Sequence, residues 1–491
     1  MQNTTRRVFD DNANRPAGHA IIRFGTGGWR AEIGKDFHMD NVRLIGQAMA
    51  NRILFNGDEK SPVVIGYDRR FLSDSAAKWL AEVLAGNGIT VWFMRRSAPI
   101  SLVMHTVMKK KLCYGLEVTA SHNPPTYNGI KIIVSEGRDA PADFTRQLEG
   151  AMCFLEYMDV KSMPFAEAVA AGKIVYLETP FNDFLDDILA VLDNEAIRRR
   201  GPRILFDTMH GSATYPLTTI FYTDRCTVDL LHSEKDAYFG GMLAEPSEGA
   251  LQELQRQVVA GGYDLGIGID GDGDRLGIID RDGSYLDGND ILVLMYDYLH
   301  QRKGWKGAVV RNMTTTHMLN RMAKDFGEEC YEVPVGFKYV SAKIDDTDAL
   351  LGGEGSGGLA VRGHIHGKDS VYAAALFVEM ICATGRSAGE LLKELRAKYG
   401  TFCQEEVNLA FDPAEKERIW KTVMRKRVLP DFGCPVERAG YLDGCKVYFP
   451  DDSFVVCRFS GTEPLLRITA EGATKKQCLA YIDAWRNMLE I

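Results

Sequence analysis

The chain has 491 residues, which corresponds to roughly three domains at about 150 residues per domain. Lys and Arg number 58 and Asp and Glu 67, giving a formal net charge of −9, while 45% of the residues are hydrophobic and 25% are charged. This composition is typical of a globular protein and excludes a largely disordered chain. The acidic balance argues against nucleic acid as the main partner, because binding to a phosphate backbone needs clustered Lys and Arg.

Neither a membrane partner nor secretion is indicated. No run approaches the roughly 18 uninterrupted apolar residues of a membrane-spanning helix, and the best candidate, residues 372–383, contains Glu379. The N-terminal residues lack the apolar core of a signal peptide. The ten cysteines show neither a CxxC pair nor zinc-ligand spacing. We therefore expect reduced thiols in a soluble, cytoplasmic protein.

Short apolar strands alternate with amphipathic helices from residue 62 onward. In the first stretch the pattern predicts two helices, over 73–88 and 100–110, and three strands, over 62–68, 89–95 and 112–120. Ser73 and Asp74 are the expected N-terminal cap of the first helix. Such alternation is typical of a mostly parallel sheet covered by helices.

The same alternation recurs over residues 203–270 and 307–337, so we interpret the chain up to about residue 400 as three related α/β units. The pattern then changes. Strands over 455–459 and 465–472 form a predicted hairpin, and a helix over 474–490 follows them. The C-terminal part is therefore predicted to be a smaller α+β domain.

The strongest chemical signal is the segment DGDGDR, from Asp270 to Arg275, at the end of an apolar strand. Asp270, Asp272 and Asp274 lie so close in sequence that they stay ionised together only beside a compensating cation. Oxygen-only ligands favour a hard ion such as Mg²⁺. A solvated acidic turn is the alternative. An EF-hand is excluded, because Arg275 and Arg281 stand where its glycine and closing glutamate belong.

The same stretch matches the dinucleotide-binding pattern GxGxxG, from Gly266 to Gly271. That motif works when it opens a helix whose N-terminus faces a pyrophosphate. Here the pattern lies on a predicted strand and the aspartates follow at once. We therefore reject a nucleotide site.

The segment TASHNPP, from Thr119 to Pro125, also follows a predicted strand. Its prolines fix the backbone beside Ser121. His122, as the direct neighbour, is poorly placed to be the base of a catalytic triad, and no GxSxG elbow is present. A serine near a metal could instead carry a phosphoryl group whose oxygens complete the cation's ligands. Taken alone, the segment fits an ordinary Ser-Asn-Pro turn better.

Two later loops carry groups suited to a sugar and to a phosphate. In GGEGSGG, Glu354 and Ser356 can accept from and donate to sugar hydroxyls, and glycines allow close approach. In RFSGTEP, Arg458, with Arg467 just beyond the turn, can bind a phosphate monoester together with hydroxyls and backbone N–H groups. A flexible turn and an ordinary hairpin turn are equally good interpretations of each loop in isolation.

Together the four loops offer a phosphoryl carrier, a divalent cation site, a polyol-binding loop and a phosphate anchor, in that order. The set resembles the α-D-phosphohexomutase family: TASHNP is similar to its phosphoserine loop, DGDGDR to its metal loop, GGEGSGG to its sugar loop and RFSGTEP to its phosphate-binding loop. The opening FGTGGWR is similar to a family segment whose arginine, here Arg30, faces the active site.

The resemblance implies four domains around a central cleft, three α/β units with mixed sheets and a C-terminal α+β domain of the TATA-binding-protein-like kind. The expected domains are 1–175 with the phosphoserine loop, 176–284 with the metal loop, 285–400 with the sugar loop and 401–491 with the phosphate loop.

The resemblance also implies a mechanism. A phosphoryl group on Ser121 would pass to a hexose monophosphate beside Mg²⁺, giving glucose 1,6-bisphosphate as intermediate and activator, and the other phosphate would return to Ser121. The implied metal ligands are Ser121, Asp270, Asp272 and Asp274. The implied catalytic residues are Ser121, Arg30, Lys131 and Arg275. The implied substrate-binding residues are Lys338, Glu354, Ser356, Lys368, Arg458, Ser460, Gly461, Thr462 and Arg467.

Among hexoses the expectation is glucose first, mannose or both second, and glucosamine a distant third. PVGFKY, with Lys338, resembles the version found in phosphoglucomutases and bifunctional glucose/mannose enzymes, and GHIHGKD, with Lys368, resembles a phosphoglucomutase segment. Glucosamine-type enzymes carry a His at the position of Gly358, and the common GEESGG has Glu where Gly355 stands. The alternatives are a phosphosugar-binding regulatory protein without turnover and a sugar phosphatase. The expected partner is a small phosphosugar, and the chain is expected to be a monomer or a dimer.

Overall fold

The computed structural model describes residues 22–25, 27–459 and 465–491 of the chain. These residues form four sheets that follow one another along the sequence, three mixed and one antiparallel, and helices pack against each of them. The predicted fold class is confirmed: three α/β domains precede a C-terminal α+β domain. The predicted boundaries at residues 175, 284 and 400 stay a prediction.

The first domain contains a seven-stranded sheet. Its strands are β1 (Trp29–Glu32), β2 (Val63–Tyr67), β3 (Val91–Phe93), β4 (Tyr114–Val118), β5 (Tyr127–Val134), β6 (Arg138–Asp139) and β7 (Ile174–Tyr176). Its helices are α1 (Met39–Asn56), α2 (Ser73–Gly86), α3 (Ile100–Lys109), α4 (Ala142–Met152) and α5 (Phe165–Ala170). The strand order is β1-β5-β4-β2-β3-β7, with β6 beside β5, and β4, β2, β3 and β7 are parallel.

The second domain contains a five-stranded sheet in the order β12-β11-β10-β8-β9. Its strands are β8 (Arg203–Asp207), β9 (Thr227–Leu231), β10 (Leu265–Ile269), β11 (Leu276–Asp280) and β12 (Tyr285–Leu286). Its helices are α6 (Pro180–Val191), α7 (Asn194–Arg200), α8 (Thr214–Thr223) and α9 (Gln252–Gly261). All residues of β10 are buried, as expected for an apolar strand with both faces covered.

The third domain contains a four-stranded sheet in the order β14-β13-β15-β16. Its strands are β13 (Val309–Asn312), β14 (Cys330–Val333), β15 (Leu351–Gly353) and β16 (Leu359–Val361). Its helices are α10 (Gly288–Asp297), α11 (Met318–Phe326), α12 (Phe337–Thr347), α13 (Ser370–Thr384) and α14 (Ala388–Tyr399). The apolar helix α13 is almost wholly buried, in one cluster with residues of all three α/β domains.

The fourth domain contains an antiparallel five-stranded sheet in the order β17-β21-β20-β19-β18. Its strands are β17 (Cys403–Ala410), β18 (Arg438–Gly440), β19 (Cys445–Tyr448), β20 (Phe454–Phe459) and β21 (Leu465–Gly472). Its helices are α15 (Lys416–Trp420) and α16 (Lys475–Leu489). The predicted hairpin and final helix are confirmed, and α16 buries Cys478, Ile482, Trp485 and Leu489. Short 3₁₀ or π-helical turns occur over Tyr157–Asp159, Phe239–Gly241, Tyr298–Arg302, Pro413–Glu415 and Lys421–Arg425.

The three α/β domains share one strand order. In each, two parallel strands with a helix between them are followed by a third parallel strand, which lies beside the first and returns through a loop into an antiparallel neighbour. The third strands are β4, β10 and β15. The loops that follow them are therefore at the carboxyl edge of each sheet, the edge where open α/β sheets bind ligands.

The start of α2 differs from the prediction. Leu72 precedes the helix with a φ of 64°, and neither Ser73 nor Asp74 caps it through a side chain. Ser73 Oγ instead donates to Asp68 Oδ1 over 2.6 Å. The predicted cap was wrong because the buried carboxylate at the end of β2 takes the hydroxyl.

All ten cysteines lie within the described residues and are free thiols. Within those residues, no single helix has the length and apolar composition to cross a membrane. The α13–α14 pair passes that test only jointly, and it is bent by 83°.

A buried polar network joins the third and fourth domains. Lys446 Nζ, in β19, donates to Met313 O over 2.7 Å, to His317 Nε2 over 2.9 Å and to Glu332 Oε2 over 2.6 Å. The backbone N–H of His317 donates to Glu471 Oε1, in β21, over 2.8 Å. Burial lowers the pKa of Lys446 to about 7 and raises the pKa of Glu471 to about 7. The interface therefore contains two groups that titrate near neutrality.

We predict that Glu471→Gln stabilises the protein only at higher pH. The ordinary pKa of this carboxyl is 4.5, so the unfolded chain releases the proton at lower pH than the folded protein does, and the wild type loses stability as the pH rises from about 4.5 to 7. Gln still accepts the His317 N–H. The variant's advantage in free energy of unfolding should be near zero at pH 4.5 and reach at most about 3 kcal/mol above pH 7.

Urea unfolding at several pH values measures this difference, and Glu437→Gln, at an exposed site of the same domain, is the control expected to give a flat profile. An advantage for Glu471→Gln that does not change with pH would contradict the prediction.

Candidate active site

The loops at the carboxyl edges of the three α/β sheets meet. Ser121 Oγ, from the loop between β4 and β5, donates to Asp270 Oδ2, from the loop between β10 and β11, over 3.2 Å. The N–H of Leu276, at the end of the second loop, donates over 3.1 Å to the carbonyl of Gly357, in the loop between β15 and β16. Three of the four loops singled out in the sequence therefore adjoin.

Asp270, Asp272 and Asp274 form a compact buried cluster. Each offers a carboxylate oxygen, and these oxygens lie within 4.8 Å of one another. Asp270 Oδ1 accepts from the backbone N–H groups of Asp274 and Arg275 over 2.8 and 2.9 Å, which closes the loop on itself. The alternating glycines allow this turn, and Gly273 has a φ of 77°.

Two lysines from other domains compensate the cluster. Lys131 Nζ, in β5, lies 2.7 Å from both Asp272 Oδ2 and Asp274 Oδ2, and Lys368 Nζ lies 2.7 Å from Asp274 Oδ2. Burial opposes ionisation of Asp274, but Lys131 and Lys368 hold its pKa well below the ordinary value. At Asp270, burial and the neighbouring Asp272 and Asp274 raise the pKa well above it.

The donor set fits a divalent cation. The second oxygens of two aspartates, Asp272 Oδ1 and Asp274 Oδ1, are buried and have no hydrogen-bond partner among the described residues. A buried carboxylate oxygen without a partner is costly. Oxygen-only ligands of this kind suit a hard ion of the Mg²⁺ or Ca²⁺ type.

Ser121 is fully buried and has a left-handed backbone, with a φ of 52°. Its N–H donates to Thr119 Oγ1 over 2.8 Å. His122 Nδ1 lies 3.4 Å from Ser121 Oγ, while Arg275 Nη2 approaches His122 Nε2 at 3.4 Å. Because a guanidinium can only donate to Nε2, the ring proton belongs on Nδ1, and His122 is not oriented to accept a proton from Ser121.

Two predicted arginines border this centre. Arg30 Nη1 donates to Asn123 Oδ1 over 2.5 Å, next to the serine loop, and burial lowers its pKa. Arg275 Nη1 pairs with Glu245 Oε1 over 2.5 Å. Burial opposes the charge of Arg275, but Asp274 and Asp270 raise its pKa. Both arginines therefore belong to the electrostatic environment of the cluster.

The predicted sugar-binding residues differ in exposure. Glu354 is buried, and its Oε1 accepts from Asn312 Nδ2 over 2.9 Å and from the N–H of Gly336 over 3.0 Å. Ser356 is exposed at the tip of the same loop. Lys338, at the start of α12, is half-buried, and burial lowers its pKa.

Of the predicted phosphate-binding residues, Ser460, Gly461 and Thr462 lie outside the described residues. The flanking arginines, Arg458 and Arg467, pair directly across the hairpin of β20 and β21. Arg458 Nε donates to Asp443 Oδ2 over 2.8 Å, and the N–H of Val335 donates to the same oxygen over 3.3 Å. Arg458 is thereby connected to the segment that ends at Gly336, a donor to Glu354.

The residues that hold these loops have no motif of their own in the sequence. Arg70 and Asp68 support the serine loop from the end of β2, Thr119 Oγ1 donates to Asp68 Oδ2 over 2.7 Å, and Asn312 fixes Glu354. The feature of the sequence that could have identified them is their position at or just after the ends of strands. Asp68 and Asn312 end parallel strands and Arg70 follows one, at the edge where ligand-binding residues collect.

A buried serine that faces a carboxylate cluster with free oxygens, on the carboxyl edges of α/β sheets, fits an enzyme that transfers phosphoryl groups beside a divalent cation, because this reaction depends on a bound metal and on positioned groups. Comparison with known proteins agrees with this class. Models of the family described as phosphoglucomutase/phosphomannomutase match the chain with alpha/beta/alpha domain I over residues 22–153, domain II over 182–283 and domain III over 287–399.

The matching proteins span nearly the whole chain. The phosphoglucomutase/phosphomannomutase of Thermococcus kodakarensis is 27% identical over 95% of this chain and 98% of its own length. A probable phosphoglucosamine mutase of Methanothermobacter thermautotrophicus is 29% identical over 95% and 97%. The crystal structure of a putative phosphomannomutase from Thermus thermophilus superposes with a TM-score of 0.83 at 26% identity, covering 96% of this chain and 100% of that one.

The chain therefore belongs to the α-D-phosphohexomutase family, that of phosphoglucomutase and phosphomannomutase. Its activity is accordingly that of a phosphohexomutase.

We predict that Asp272→Asn weakens divalent-cation binding. The change keeps the shape of the side chain but removes the charge of a carboxylate that has a free buried oxygen. The dissociation constant for Mn²⁺, measured by electron paramagnetic resonance, should rise by at least about tenfold. Mutating residues that only support metal ligands already weakens binding by about this factor. Asp282→Asn, in the following turn, should leave it unchanged. Equal affinity in Asp272→Asn and wild type would exclude this cluster as the cation site.

Proposed function

We propose that the protein interconverts glucose 1-phosphate and glucose 6-phosphate, with Ser121 as the phosphoryl carrier and Mg²⁺ at Asp270, Asp272 and Asp274. One observation carries the proposal. The only serine hydroxyl hydrogen-bonded to the cluster, among the described residues, is Ser121 Oγ, 3.2 Å from Asp270 Oδ2. A phosphoryl group on that oxygen would lie beside the free oxygens of Asp272 and Asp274.

In the proposed reaction the bond between phosphorus and Ser121 Oγ breaks as a bond to a hydroxyl of the hexose monophosphate forms, which gives glucose 1,6-bisphosphate. The intermediate then presents its other phosphate, and the reverse transfer restores phosphoserine and releases the isomeric monophosphate. No water is consumed. In the first transfer the attacking hydroxyl loses a proton and the released Ser121 Oγ takes one up, and in the second transfer Ser121 gives up that proton and the released sugar oxygen takes one up. The bisphosphate therefore also primes unphosphorylated enzyme.

The chain's own groups supply positioning and charge. Mg²⁺, when bound, would neutralise charge on the transferring phosphoryl group. Lys131 is buried, and Arg275 and Arg30 are partly buried, beside the serine and the cluster. Charge compensation is strong where water is largely excluded. Phosphoryl transfer depends mainly on positioning and electrostatics, so these cations are proposed to stabilise the developing charge, and Lys131 or Arg275 to move the proton of the attacking hydroxyl.

Glu354 and Ser356 are proposed to bind sugar hydroxyls, and Lys338 and Lys368 to bind the phosphosugar. The non-reacting phosphate would bind Arg458, Ser460, Gly461, Thr462 and Arg467. The hydrogen bonds from Arg458 to Asp443 and from Val335 to Asp443 support this assignment, because they connect the phosphate-binding hairpin with the segment that holds Glu354.

Glucose is proposed over glucosamine because of Gly358. A β-carbon at this position would collide with Lys368 Cδ, so the histidine typical of glucosamine-type enzymes would require the Lys368 side chain to shift. Mannose is the next candidate. Glucosamine remains a second candidate function, because several curated relatives at 26–29% identity are phosphoglucosamine mutases. With free thiols throughout the chain, we propose a cytoplasmic location.

We predict that Ser121→Ala abolishes the conversion of glucose 1-phosphate to glucose 6-phosphate, because no other side chain is proposed to carry the phosphoryl group. Intact-mass spectrometry should show wild-type protein partly heavier by one phosphate and the variant without it. Ser135→Ala, in an exposed turn, is the matched control and should keep wild-type turnover and phosphate. Wild-type turnover in Ser121→Ala would disprove the mechanism.

We also predict that turnover with glucose 1-phosphate exceeds that with mannose 1-phosphate, and that glucosamine 1-phosphate is the poorest substrate. Coupled assays with Mg²⁺ and catalytic amounts of the matching bisphosphate measure the three values of kcat/KM, and Ser121→Ala provides the blank. A higher value for glucosamine would reverse the assignment. Release of free phosphate at the rate of sugar conversion would instead identify a phosphatase, and binding without turnover of any sugar would identify a regulatory protein.

A further inference from the structure

Arg70 is a buried arginine that the mechanism above does not use. It lies between β2 and α2 and is 2% exposed. Its guanidinium donates to three backbone carbonyls of the serine loop and to that of the first residue of β5. Nη2 donates to Ser121 O and Asn123 O, each over 2.6 Å, and Nη1 to Pro124 O over 2.9 Å and Tyr127 O over 3.1 Å. One side chain therefore holds the whole loop, including the carbonyl of Ser121 itself.

The backbone at Ser121 needs such support. Its φ of 52° is a conformation that a residue with a β-carbon rarely adopts. Thr119 Oγ1 holds the N–H of Ser121 over 2.8 Å and donates in turn to Asp68 Oδ2 over 2.7 Å. The amide on one side of Ser121 is thus fixed by Thr119 and the carbonyl on the other side by Arg70. These two contacts fix the backbone from which Oγ projects.

The guanidinium is itself fixed, and it connects two domains. Arg70 Nε pairs with Asp68 Oδ2 over 3.4 Å, and the backbone N–H of Arg70 donates to Asp68 Oδ1 over 2.9 Å. Phe239, from the second domain, is 2% exposed and covers the guanidinium with its ring centre 4.8 Å from Cζ. A β-carbon at Gly271, in the metal loop, would lie 3.2 Å from Ser121 O and 3.4 Å from Phe239 Cε1. Arg70 thus lies where the serine loop and the metal loop are packed on each other.

We propose that Arg70 is a positioning residue for phosphoryl transfer: it holds the left-handed backbone of Ser121 so that Oγ faces Asp270. The inference rests on the proposed role of Ser121 as the phosphoryl carrier. Arginine is required because its planar fork donates in fixed directions to two pairs of carbonyls, whereas lysine offers the same charge from a single point. Arg70 does not itself touch the reacting atoms.

The test compares Arg70→Lys with Arg69→Lys, the neighbouring arginine, which donates to Ser233 O. Both full-length variants are assayed for kcat and KM with glucose 1-phosphate, and for the rate of phosphate transfer to Ser121 from glucose 1,6-bisphosphate by intact mass. Thermal unfolding checks the fold. For Arg70→Lys we expect kcat and the transfer rate to fall by about a hundredfold, the loss typical of a 1 Å misplacement, with KM within about twofold of wild type. Arg69→Lys should match wild type.

A transfer rate and kcat close to wild type in folded Arg70→Lys would overturn the inference, and so would a loss that appears in KM alone. If Arg70→Lys does not fold, Phe239→Leu decides, because it removes the ring over the guanidinium and keeps an apolar side chain. Its kcat should fall by roughly threefold or more at unchanged KM, and an unchanged kcat would overturn the inference. An active wild-type enzyme that never acquires phosphate on Ser121 would instead disprove the proposed function.

Discussion

The arrangement of the domains depends on how the negative charges of three buried aspartates are compensated. Asp274 Oδ2 forms ion pairs with Lys131 Nζ from the first domain and with Lys368 Nζ from the third, each over 2.7 Å. Removing one partner of a buried ion pair lowers the stability of a folded protein by about 3–5 kcal/mol. The ion pairs therefore hold three domains against one another, and the same charges form the site. Stability of the domain arrangement and the chemistry of the site depend on one cluster.

The repeated topology explains how unrelated loops arrive at this cluster. Each α/β domain places its third parallel strand, β4, β10 or β15, beside its first and returns antiparallel. The returning loop is always at the carboxyl edge, so a serine, three aspartates and a glutamate occupy equivalent places in three domains. Three copies of one fold that face each other provide different functional groups around one ligand without any change of framework.

The fourth domain is attached by a separate buried polar network and not by the aspartate cluster. Its interface with the third domain is a buried network around Lys446, His317 and Glu332, which needs complete hydrogen bonding because its groups are removed from water. Arg458 and Asp443 extend this connection to the segment beside Glu354. The position of the β20–β21 hairpin is thereby coupled to that of the loop that contains Glu354.

Local sequence determined much of this protein. The alternation of apolar strands and helices gave the α/β class, and the strand-end positions of Ser121, Asp270, Asp272, Asp274 and Glu354 identified the loops, because these features depend on residues adjacent in the chain. The cap predicted at Ser73 was wrong, since a carboxylate outside the helix competes for the hydroxyl. Only the tertiary structure decided which cations compensate the aspartates and which side chain holds the serine loop. Lys131, Lys368 and Arg70 lie roughly 100 to 200 residues from the metal loop. Long-range charge compensation depends on distances in space, and no local pattern of residues encodes them.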